Sequence, residues 1–175
     1  MTADNLPSIN NKADFLAHAG LMIQESLDQY KQLADSMEMH NNPEAAIQFR
    51  KLEYMEEQQL HWIEKQAIDM TLPDIAPWDF TWHCHNDPAK SCLSDMDYLV
   101  NPAQALSAAL HNEYHSEKFY RKIANQASDS AVKQLAGELA SQQLQQIELL
   151  EQRLQSLLKE AFELIDDMDP PNMPE

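Results

Sequence analysis

Between residues 12 and 165 the apolar residues return at intervals of three and four, the spacing of helices with one buried face. Over 12–37 the stripe is Phe15, Leu16, Ala19, Ile23, Leu27, Tyr30, Leu33 and Ala34. Over 43–70 it is Ile47 or Gln48, Phe49, Leu52, Glu56, Gln59 or Leu60, Ile63 and Ala67. Over 102–127 it is Leu106, Ala109, Leu110, Phe119, Tyr120 and Ile123. Over 131–165 it is Val132, Leu135, Ala136, Leu139, Gln143, Gln146, Ile147, Leu150, Leu154 and Leu157. The pattern predicts four long helices whose inward faces are interrupted by a few polar residues. Glu113 stands seven positions before Tyr120, two turns away on one face, so it aims a carboxylate at the core. A buried carboxylate is costly unless something satisfies it, which makes the position informative.

The boundaries carry their own signals. Asn42-Pro43 and Asn101-Pro102 read as N-caps followed by a first-turn proline, and Ser128–Ser130 forms a short turn between the last two helices. The 9 prolines fall at the ends of the predicted helices or between them. Residues 1–11 read as a loose leader, 12–165 as one domain and 166–175 as an acidic, proline-rich tail. Residues 71–101 form a long connection with Trp78, Phe80 and Trp82 placed to cap the bundle. Two helical hairpins joined by this crossover give an all-α, up-down four-helix bundle. The chain also repeats itself: Leu16, Ala19, Ser26, Tyr30 and Ala34 match Leu106, Ala109, Ser116, Tyr120 and Ala124. In that alignment the place of Glu113 is taken by Ile23.

The run Ala109-x-x-x-Glu113, continued by Phe119-Tyr120-x-x-Ile123-Ala124, resembles the third helix of the rubrerythrin and ferritin-like superfamily. Phe49-x-x-Leu52-x-x-x-Glu56-x-x-Gln59 resembles its second helix, which usually ends in Glu-x-x-His. LPDIAPWDF and the segment from Tyr98 to Leu106 are similar to rubrerythrin-like proteins as well, so the resemblance spans residues 12–158. It implies a ferritin-like fold and a di-iron centre built from one Glu on each of two helices and Glu-x-x-His on each of the others. Carried across, those ligands fall at Ile23, Glu56 with Gln59, Glu113, and Gln143 with Gln146; an additional glutamate falls at Ser116. Both histidines are glutamines here and one carboxylate is an isoleucine. The expectation is a lost or altered centre at Glu56, Gln59, Glu113, Gln143 and Gln146, with iron or another divalent metal as the cofactor the resemblance implies. The family activity, a metal-dependent oxidoreductase handling oxygen or peroxide, is one reading; a non-catalytic metal- or partner-binding bundle is the other.

Other ligand types lie off these faces. Helical geometry turns Glu25 away from the position of Ile23, His61 away from Gln59, and His111 and His115 away from Glu113. His111 and His115, four apart, read either as solvated residues or as a surface metal clamp; a π-bulge could recruit His61. In the crossover, His83, Cys84, His85 and Cys92 are of the types zinc or copper prefers, in no recognised finger spacing, and suggest a carrier or sensor as a third reading.

Composition bounds these readings. The 175 residues include only 2 glycines, which suits a helical domain with a sizeable core. A net charge of −17 disfavours nucleic-acid backbones and anionic membranes as partners. The absence of a long apolar run or a basic-then-apolar leader suggests no membrane span and a cytoplasmic protein. The 2 cysteines make no disulfide framework, and there is no pair of Cys-x-x-Cys motifs for an appended electron carrier. Met22, Leu144 and Leu149, off the main stripes, suggest a surface for a partner, with a homodimer expected.

Overall fold

The computed structural model describes residues 9, 11–76, 93 and 96–166. Four helices make up the described fold: α1 Lys12–Met39, α2 Pro43–Gln66, α3 Pro102–Gln126 and α4 Ser130–Asp166. Each begins where a side chain can satisfy the open amides of a first turn. Asn11 accepts from the Asp14 amide at 3.0 Å, and Asn42 from Ala45 at 3.3 Å. Asn101 and Gln104 form a reciprocal capping box at the head of α3. Asp129 receives the Ala131 and Val132 amides at 2.7 and 3.2 Å and so starts α4.

The α1–α2 turn passes through Asn41 at φ 56°, a left-handed conformation that asparagine tolerates better than most side chains. Asn42 also donates to the Tyr98 and Val100 carbonyls at 3.0 and 2.7 Å, tying this turn to the end of the crossover. Arg50 holds the same corner from α2, reaching Asp35 at 2.5 Å, Glu38 at 3.0 Å and Glu53 at 2.8 Å.

Two apolar cores lie at opposite ends. One gathers Tyr30, Met37, Phe49, Leu52, Leu106, Ala109, Ile147 and Leu150; the other gathers Phe15, Leu16, Ile23, Ile63, Tyr120, Val132, Ala136 and Leu139. Every helix contributes to both, so α1 and α4 run one way along the bundle while α2 and α3 run the other. The crossover must therefore travel the length of the bundle, and its Leu93 is buried in the first core beside the start of α3. No helix among the described residues is long and apolar enough to cross a membrane.

Several sequence expectations shift. Helix α2 stops at Gln66 rather than near Met70, because its inward stripe ends and Ile68 already faces solvent. The choice between Ile47 and Gln48 falls to Gln48: it is 5% exposed and bonds the Glu44 carbonyl, while Ile47 is 50% exposed. Likewise Gln59 is buried and Leu60 only partly. Met22, expected on an outer face, is buried in the second core. Leu144 and Leu149 do face outward. Trp78, Phe80, Trp82, His83, Cys84, His85 and Cys92 lie outside the described residues, as do nearly all of the leader and the tail.

Candidate functional site: a polar waist between two apolar cores

Between the two cores all four helices turn polar or hydroxylated side chains inward, at Tyr30, Glu56, Gln59, Glu113, Gln143 and Gln146. The first four of these positions and Gln143 are buried. Glu56 and Gln59 share a face of α2 by their three-residue spacing, as Gln143 and Gln146 do on α4. Bonds across the waist join them into one network. The Tyr30 hydroxyl donates to Glu113 Oε1 at 2.5 Å, and Gln143 Nε2 donates to Glu113 Oε2. Gln59 Nε2 donates to Gln143 Oε1 at 3.0 Å and to Gln146 Oε1 at 2.7 Å. Asn112 adds an outer tie, donating to the Tyr30 hydroxyl at 3.1 Å and to Ser26 Oγ at 3.2 Å.

The orientation of this chain follows from Glu113. An ionised carboxylate only accepts, so Gln143 must turn its NH2 toward it; the freed Gln143 carbonyl then calls for the NH2 of Gln59. Direction thus propagates from α3 through α4 to α2. No donor among the described residues reaches the Glu56 carboxyl, which is buried all the same. Burial lifts the Glu56 pKa well above the usual carboxylate range, and the charge of Glu113 lifts it further. Burial also pushes Glu113 up, to about 7, although the Tyr30 and Gln143 hydrogen bonds pull it back. Both shifts favour the protonated carboxyl, and at Glu56 no hydrogen bond to the anion offsets them. Tyr30 and Tyr120 are raised well above their ordinary value by burial, and both carboxylates add to the effect.

The remaining candidates are distributed around this waist. Ile23 is packed in the second core, and Ser116, which takes the place of the extra glutamate, bonds the Asn112 carbonyl at 3.3 Å. His61 faces solvent and lies 3.4 Å from Glu64, with no π-bulge in α2 to recruit it. His111 and His115 meet on the outer side of α3. Sequence reasoning missed Glu117, which is buried and pairs at 2.9 Å with the exposed Arg121. Its four-residue spacing from Glu113 was the available signal. An open groove of about 300 Å³ between α2 and α4 is lined by Gln58, Gln59, Trp62, Gln142, Gln145, Gln146 and Leu149. It brings solvent to the outer edge of the carboxamide chain.

The donor set does not fit a pair of iron ions. Two irons require several anionic oxygens and two imidazoles; the waist offers two carboxyls, one of them already taken up by a tyrosine and an amide N–H. Among the described residues no group of three or more His, Cys, Asp or Glu side chains is arranged to hold a metal.

The fold is a ferritin-like four-helix bundle. It is similar to the crystal structure of an uncharacterized conserved protein from Magnetospirillum magnetotacticum MS-1, with 28% sequence identity and a TM-score of 0.67. The likeness covers 83% of this chain and 95% of that one. No family model matches the chain, and no curated protein matches it.

Proposed function

We propose that this protein is a rubrerythrin-like bundle whose di-iron centre has been converted into a proton-bearing carboxyl–carboxamide network, and that it works as a non-catalytic binding module. One observation supports the reading: Glu113, Gln143, Gln59 and Gln146 hydrogen-bond to one another, so the Gln143 and Gln59 N–H groups are directed at a carboxylate and at amide oxygens of the implied ligand positions. An amide hydrogen facing a carboxylate strengthens the fold and repels a cation.

The partner in this reading is a second copy of the chain. Two molecules of charge −17 repel wherever acidic surfaces meet. The groove face between α2 and α4 carries no ionisable lining residue and presents Leu149, 62% exposed, beside Trp62. An uncharged surface with an apolar rim is where like-charged copies can approach.

Metal analysis of protein purified from iron-replete cells, with anomalous diffraction to locate any ion, tests the proposal. The expected outcome is a waist without stoichiometric metal. Two irons between Glu56 and Glu113 would restore the oxidoreductase reading and overturn this one.

A further inference from the structure

The side of α3 opposite Glu113 carries His111 and His115, one turn apart. Their Nε2 atoms stand 3.1 Å from each other, with ring centroids 4.5 Å apart and the rings nearly perpendicular. Two nitrogens that both bind one ion at about 2.0–2.1 Å, with a bond angle between square and tetrahedral, are separated by about 2.9–3.4 Å. The two imidazoles already stand at that separation. We propose that His111 and His115 form a bidentate surface site for a divalent cation of the imidazole-preferring class, zinc, copper or nickel. Magnesium and calcium are not candidates, since hard cations take oxygen ligands.

The scaffold favours chelation. A helical turn holds residues four apart on one side, and α3 is anchored by its capping box and by the burial of Leu110, Glu113 and Tyr120 on the other. Little further ordering of the two rings is needed when the ion arrives. In the metal-free state one ring must carry its proton on Nε2 to donate to the other. Binding requires both Nε2 atoms as lone-pair donors, so that proton moves to Nδ1 or to solvent.

The other histidines among the described residues are engaged differently. His18 and His40 each direct Nδ1 to the carbonyl four residues earlier at 2.8 Å, and His61 lies beside Glu64. The inference is separate from the proposed function, because the two nitrogens lie outside the bundle and share no ligand with the waist.

Titration of the full chain with Zn2+ alone, followed by calorimetry and by imidazole 15N shifts, tests the site. The expected result is one equivalent bound with paired shifts at both Nε2 atoms. His111→Gln and His115→Gln should each weaken binding at least about tenfold, or about 1.4 kcal/mol. Cys84→Ser combined with Cys92→Ser should leave it unchanged. Far-UV dichroism of each variant should match the parent, since the site lies on the outer side of α3. Affinity untouched by both histidine substitutions would overturn the proposal, as would loss only in the cysteine variant.

Discussion

Tyr30 on α1 and Glu113 on α3 meet at 2.5 Å across the middle of the bundle, a neutral donor against a buried carboxylate. The bond runs from a position the two repeat copies share, Tyr30 matching Tyr120, to one where they differ, Glu113 against Ile23. Tyr30→Phe leaves the ring's packing on Phe49 and removes only the donor. The expected cost is about 1–3 kcal/mol in chemical denaturation. The Glu113 carboxyl should then titrate higher, because this bond lowers its pKa. An unchanged titration by NMR would mean that Tyr30 does not hold the anion.

Stability should depend on pH with a definite sign. Glu56 and Glu113 both have folded-state values above those of an unfolded chain. The folded protein therefore binds more protons, and this pair's contribution falls as pH rises. It is fully present below the ordinary carboxylate value of 4.5 and, for Glu113, is lost by the time pH passes about 7. Glu56→Gln removes an ionisable group that no donor satisfies, so it should flatten this slope and be neutral or stabilising above pH 7. Denaturation midpoints of both proteins across that window provide the check.

Much of this waist was legible in the sequence. Five polar residues broke otherwise apolar stripes, and the repeat singled out Glu113 against Ile23. The proline-flanked crossover and the Asn-Pro caps placed the helices to within a few residues. What periodicity could not resolve was the choice between adjacent residues at a stripe's edge. Gln48 wins burial over Ile47 because its amide can bond a carbonyl of its own helix, an option the hydropathy pattern does not display. Met22 was misjudged for a related reason: long, flexible methionine fills the inter-helix space beside the main stripe. Glu117, one turn beyond Glu113 on the same face, is buried as well, with Arg121 reaching it from the surface.

Restoring the ligand types should restore the metal. Ile23→Glu, Gln59→His, Gln143→Glu and Gln146→His together supply the carboxylates and imidazoles that the ferritin-like pattern requires. The fourfold variant should bind iron measurably by equilibrium dialysis while the parent does not. If it folds and still takes up no iron, the assignment of these positions to one centre is wrong.

The groove face makes a separate claim about assembly. Leu149→Lys places a charge on an exposed rim without disturbing either core. Sedimentation should show the parent as a dimer and the variant shifted toward monomer. Equal sedimentation would remove this face as the contact.

The most direct measurement is the protonation of the two buried carboxyls, read from their side-chain 13C shifts in labelled protein at neutral pH. A waist that holds a proton in place of metal should show Glu56 as a neutral acid and Glu113 in titration near pH 7. Two fully ionised carboxylates, with shifts that move when a divalent chelator is added, would contradict it.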